Sequence, residues 1–169
     1  MKLRLFPNHT GIWEGTYIRI DAKGIKQDEW KSRLTIRIIG EDKYHQVNEY
    51  FWADGYTECH DFGISSFNEK GELIFDNPRI LGKAWETEDS VCLIWSYLDR
   101  PGSKLFEMID LIGDGNHRVR NWRWTLDDEF QGITMIEERK TGSSHDIDPS
   151  FWEGLAARRT LTPSKSNFY

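Results

Sequence analysis

Gly11-Ile12-Trp13-Glu14-Gly15-Thr16-Tyr17-Ile18-Arg19-Ile20-Asp21 alternates large and polar side chains, and successive side chains of a strand point to opposite faces. This is the pattern of a strand, ended at Asp21-Ala22-Lys23-Gly24, where glycine accepts a positive φ. If Trp13 points inward, Gly15, Tyr17 and Arg19 do too, while Ile18 and Ile20 face outward under a later helix. An inward Arg19 is costly unless it meets a carboxylate, water or an anionic ligand. A register slip or a bulge would turn it to solvent instead.

Outward from this stretch the alternation recurs in about ten segments: 11–21, 29–39, 43–52, 56–67, 73–76, 79–87, 90–98, 105–112, 117–126 and 130–140. Ala53-Asp54-Gly55, Asn68-Glu69-Lys70-Gly71, Asp99-Arg100-Pro101-Gly102 and Asp114-Gly115-Asn116 supply hairpin turns between them. The helical pattern is confined to 148–159, with Asp148 as N-cap and Pro149 at the first helical position. There Phe151, Trp152, Leu155 and the stem of Arg159 share a face. Residues 160–169 read as a tail, and nothing repeats at a period of 20–50 residues. Ten up-and-down strands with one late helix have no second layer to cover them, so the sheet must curl on itself. The expected fold is all-β: an antiparallel meander barrel over 11–140 with a short C-terminal helix, in a single domain of 1–169. Such barrels leave room inside for one small ligand.

With 22 basic against 28 acidic residues the formal charge is −6, which opposes attraction to phosphate backbones and anionic lipid. Nucleic acid is excluded as the expected partner. The longest apolar run, Val91-Cys92-Leu93-Ile94-Trp95, is far short of a membrane span, and Pro7 interrupts the N-terminus too early for a signal sequence. A cytoplasmic protein is the expectation. Cys59 and Cys92 lack CxxC spacing and read as buried thiols.

The Gly11-x-Trp13 start, followed by a meander, resembles the N-terminal signature of the calycin superfamily, which includes lipocalins, fatty-acid-binding proteins, nitrobindins and bilin-handling lyases. It is most similar to uncharacterised cyanobacterial lipocalin-like proteins. The resemblance implies that Trp13 closes the barrel floor and that a basic residue late on the last strand covers its indole. Arg139 stands where that partner is expected, and both residues are read as structural. A chromophore-lyase activity is one further implication, although no lyase motif matches residue by residue. Haem, bound by nitrobindin-like barrels, would need a proximal histidine near the last strands. His117 is the strand candidate there, but Thr16-Tyr17-Ile18-Arg19 departs from the nitrobindin pattern. No cofactor is expected.

His117-Arg118-Val119-Arg120-Asn121-Trp122-Arg123-Trp124 puts Arg118, Arg120, Trp122 and Trp124 on one face, and His117, Val119, Asn121 and Arg123 on the other. Either face carries a guanidinium. With the first face inward, Arg120, Trp122 and Trp124 suit a planar ligand bearing a carboxylate; Tyr17, Arg19 and Trp95 complete the ligand-binding candidates. His45 and Glu49 share a face four residues apart, a spacing that builds no metal site on a strand. His60 and Asp61 are adjacent and point to opposite faces. Glu49, Tyr50 and His60 are the acid–base candidates if the barrel is an enzyme.

The resulting expectation is binding of a small, largely apolar molecule, conjugated and anionic in its sharpest form, inside the barrel. The alternatives are a cofactor-free lyase, isomerase or cyclase using the same cavity, and a carbohydrate-binding or scaffolding module whose tryptophans lie outside.

Overall fold

The computed structural model describes residues 3–161 and 164–167. Ten antiparallel strands close into a barrel in chain order. They are β1 (Gly11–Asp21), β2 (Lys26–Ile39), β3 (Lys43–Phe51), β4 (Thr57–Phe67), β5 (Leu73–Asp76), β6 (Ile80–Glu86), β7 (Ser90–Tyr97), β8 (Ser103–Ile112), β9 (His117–Leu126) and β10 (Glu129–Gly142). Each sequence segment becomes one strand, with ends within three residues of the expected ones. The largest difference is at β2, which starts at Lys26 rather than Glu29.

Closure between β1 and β10 is well registered from Trp13↔Lys140 to Asp21↔Gly132. Gly15 belongs here for steric reasons: a Cβ at this position would run into the Glu137 carbonyl and the Glu138 side chain. The opposite seam is weak, because β4 and β5 pair only through Ser66↔Ile74 and Phe67↔Leu73. A bulge opposite Gln46, with Gly63 at φ 70°, shifts the parity of β4, so that Phe62 and Ser65 line the same cavity.

One end of the barrel is plugged by a 3-10 turn, Phe6–His9, for which the alternating pattern gave no signal. Phe6 packs on Phe67 with ring centroids 4.9 Å apart, and Glu86 Oε1 accepts the Leu5 and Phe6 amide protons at 2.6 and 2.8 Å. Trp13 is fully buried above this plug and donates Nε1–H to the His9 carbonyl (2.9 Å). The cation over its ring is not Arg139. Arg118 lies there, with its guanidinium carbon 4.3 Å from the ring centroid, and Lys140 Nζ lies at 5.3 Å. Arg139 pairs with Glu14 in register, which turns its side chain outward to Glu137 at 3.6 Å. Strand parity decides this, since Glu138 and not Arg139 shares the inward face with Ile136.

The expected helix 148–159 is divided into a 3-10 turn, Pro149–Trp152, and a single α-helical turn, α1 (Leu155–Arg158). Gly154, at φ 68°, breaks it. Asp148 caps as expected, accepting from Ser150 N at 2.9 Å. The segment covers the outer face of β3 and β4, where Leu155 packs with Val47 and Cys59, and not Ile18 and Ile20 of β1. Both cysteines are free and buried. Six of the eight tryptophans, 13, 30, 52, 95, 122 and 124, are in the buried core, which removes the reading that places them outside. No helix among the described residues is long and apolar enough to cross a membrane.

Candidate functional site

The barrel interior divides into two parts. Near the plugged end, Arg118 pairs with Glu138, and Arg120 bonds Glu107 Oε1 (2.6 Å), Glu138 Oε1 (3.1 Å) and the Tyr17 hydroxyl (3.0 Å). Two guanidinium groups and two carboxylates neutralise one another here, out of water. Burial pushes the Glu138 carboxyl up, but Arg118 and Arg120 outweigh it and hold it below the usual carboxylate range. Burial prevails at Glu107 and raises it. His9 is pushed down to about 3 by burial and by Arg118 and Arg120.

Above this cluster lies a cavity whose atom-free space, counting the part open to solvent, is about 660 Å3. Phe75, Ile80, Leu93, Trp95, Tyr97 and Trp122 form its apolar walls. The Trp95 and Trp122 rings meet edge to face at 5.5 Å. Along β3 runs a ladder of hydrogen bonds: Tyr44 Oη to Gln46 Oε1 (2.7 Å), Gln46 Nε2 to Asn48 Oδ1 (2.7 Å) and Asn48 Nδ2 to Tyr50 Oη (2.8 Å). All four residues line the cavity. Burial raises the Tyr44 and Tyr50 phenols well above their ordinary values, so both stay protonated; Tyr44 donates to Gln46, while Tyr50 accepts from Asn48 and keeps its own O–H.

At the cavity's rim Arg79 faces His60 Nδ1, so that nitrogen accepts and Nε2 carries the proton toward Glu58 Oε2 (2.7 Å). Burial lowers His60, with Arg79 adding to the effect against Glu58. With Nδ1 engaged by Arg79, a neutral His60 offers the cavity no free basic nitrogen. Glu58 also accepts from Ser164 Oγ (2.9 Å) and Ser166 Oγ (2.6 Å). Burial alone would raise it, but the bonds from His60, Ser166 and Ser164 bring it to about 2. The segment read as a tail thus reaches the site through Ser164 and Ser166. Thr160 N donates to the Cys59 carbonyl and Thr160 Oγ1 accepts from Cys59 N, both at 2.8 Å, and Ser166 lines the cavity. Residues 162, 163, 168 and 169 lie outside the described residues.

Of the residues singled out by sequence, Tyr50, His60, Trp95, Arg120 and Trp122 line this cavity. Tyr17 lies behind it, stacked on Trp30 at 5.3 Å. Trp124 stacks on Tyr97 at 6.0 Å and donates to Thr134 Oγ1 (3.0 Å). Arg19 is buried as the alternation requires, and its carboxylate is Asp28, at 3.6 Å. Glu49 does not reach the interior: it is on the outer face of β3, 3.5 Å from Arg158. His45, on that face as well, meets Asp61 at 2.8 Å. His117 also points outward, within 2.9 Å of Glu137. Gln46, Asn48 and Tyr97 were missed, although they share faces with Tyr50 and Trp95 and alternation alone would have found them. Arg79 and Ser166 carry no such signal. No cluster of three or more metal-ligating side chains occurs among the described residues.

A closed meander of ten strands with a plugged floor, an interior Trp13 and an internal cavity is a calycin-like barrel. No protein-family model and no curated protein matches the chain. Solved structures do. One is a protein of unknown function from the DUF3598 family of Nostoc punctiforme (TM-score 0.59, 17% identity, 82% of this chain and 49% of that one). A second is the S-type phycobiliprotein lyase CPES of Guillardia theta (0.57, 13%, 82% and 92%). A third is Rv2717c of Mycobacterium tuberculosis (0.55, 14%, 79% and 93%). The chain spans about half the length of the Nostoc protein, and at these identities the likeness is one of fold.

Proposed function

We propose that this protein binds a small, largely apolar, flat molecule in the cavity between β3 and the Trp95–Trp122 wall. The observation that carries the reading is a cavity walled by aromatic rings yet crossed by one polar ladder. Such sites combine apolar contact area with a few polar groups that fix orientation, and aromatic side chains supply that area at low entropic cost. An acid–base enzyme is the weaker reading, because Tyr50 is held protonated and the His60 nitrogens face Arg79 and Glu58.

Indole N–H signals of 15N-labelled protein, followed through titration with small ring compounds, test this. Trp95 and Trp122 are expected to shift, while Trp85 and Trp152, outside the barrel, stay in place. Shifts confined to Trp85 or Trp152, or no shift with any ring compound, would overturn the reading.

A further inference from the structure

The polar wall of the cavity has a sign. Each rung of the β3 ladder spends one proton, yet a primary amide carries two N–H protons and a phenol one O–H. Gln46 and Asn48 therefore each keep a second N–H, and one terminal phenol keeps its O–H. Flipping both amides reverses the ladder and exchanges the terminal phenol, but leaves the same surplus. The Tyr50 oxygen already accepts from Asn48, and the Tyr17 hydroxyl accepts from Arg120. Across the cavity, Trp122 is 5% exposed. Its Nε1–H faces Glu107 without closing a hydrogen bond of good geometry.

Two acceptors within reach are committed. Glu107 Oε1 holds Arg120, and His60 Nδ1 faces Arg79. Asn48, Tyr50 and Trp122 are all at least nine-tenths buried. Buried donors left without acceptors are costly, so an occupant that supplies acceptors gains more than one that supplies donors or none.

We propose that the cavity is selective for acceptor-bearing rings: a flat molecule with a carbonyl or carboxylate oxygen, turned so that the oxygen meets the surplus protons of Gln46, Asn48 and Tyr50 while its apolar face lies on Trp95 and Trp122. This rests on the cavity being a binding site at all. Its specificity comes from unbalanced hydrogen bonding, not from a fixed charge, since Arg120 is neutralised by Glu107 and Glu138.

Cyclopentanone and methylenecyclopentane have nearly the same shape, and one carries an oxygen where the other carries a CH2. Their dissociation constants, measured by NMR titration on the intact protein, give a selectivity ratio. That ratio is expected to fall about tenfold in Asn48→Leu and in Tyr50→Phe, and the side-chain amide signals of Gln46 and Asn48 are expected to shift with the ketone only. Tyr50→Phe keeps the ring and decides the matter if Asn48→Leu does not fold. Binding of both compounds with a ratio unchanged by Tyr50→Phe would overturn the acceptor selectivity and leave binding intact. Binding of neither would overturn the binding site itself, and the selectivity with it.

Discussion

The two halves of the barrel interior are both polar, yet they treat their polar groups differently. Around Trp13 the charges answer one another, Arg118 with Glu138 and Arg120 with Glu107, Glu138 and Tyr17, although Arg118 Nη2 and His9 Nδ1 are buried without a hydrogen-bond partner among the described residues. Along β3, neutral groups bond in a line and leave protons over. Buried ion pairs that close on themselves are structural, and removing one partner is far costlier than the pair is worth. A hydrogen-bond line with a surplus is poised for an occupant. The contrast teaches that polarity inside a barrel does not by itself mark a site; neutral donors facing an aromatic-walled cavity do.

The largest expected effects lie in the closed half. Glu138→Gln leaves two guanidinium groups under-compensated and should cost about 3–5 kcal/mol, read from denaturant midpoints. Trp13→Ala should cost about as much. If Glu138→Gln is nearly neutral, the closed network is not what holds the floor, and the contrast between the halves fails.

Acid should act next, in the closed half through His9. The folded His9 titrates at about 3 against an ordinary 6.5, so between those values the unfolded chain binds more protons, and stability falls as pH drops through the window. His45 and His60 are lowered too, chiefly by burial, and act in the same direction. Glu58, at about 2 against 4.5, adds a loss between those two values. Each fully engaged group contributes a slope of about 1.4 kcal/mol per pH unit. Unfolding midpoints measured from pH 7 to 4 should decline from near pH 6.5, and His9→Gln should flatten the upper part of that decline. A midpoint flat down to pH 5 would contradict the buried neutral histidines.

Smaller effects are expected in the open half. Tyr50→Phe should cost about 1 kcal/mol of stability while changing ligand preference. Arg139→Ala should change stability by less than about 0.5 kcal/mol, because Arg139 is an exposed side chain whose ion pair with Glu137, at 3.6 Å, lies at the surface. A large loss from Arg139→Ala, measured beside Glu138→Gln, would reverse the assignment of faces on β10.

Alternation was enough to place ten strands and to sort β1 and β9 into two faces each, because a half-buried strand must alternate. Trp95, Arg120 and Trp122 were legible for that reason. Which face of β9 looks inward stayed open in the sequence, and the structure buries Arg118, Arg120, Trp122 and Trp124. Arg139 was misplaced by one residue, and in a strand a single residue exchanges the inner face for the outer. Glu49 was misplaced differently: its neighbours Asn48 and Tyr50 are the inward pair on β3, and a strand covered on both faces shows weaker alternation. Ser164 and Ser166 were illegible, since their burial depends on Glu58 and His60 more than a hundred residues earlier. The role of Gln46 and Asn48 depends on bonds along a strand face, visible only once that face is known to line a cavity.

The central claim is that the open half binds and the closed half does not. Crystals soaked in cyclopentanone test it most directly. The account predicts ligand density between Trp95 and Trp122, with the carbonyl oxygen within hydrogen-bond distance of the Asn48 or Gln46 amide nitrogen. Density among His9, Arg118 and Glu138, or on the outer face of the barrel alone, would contradict it.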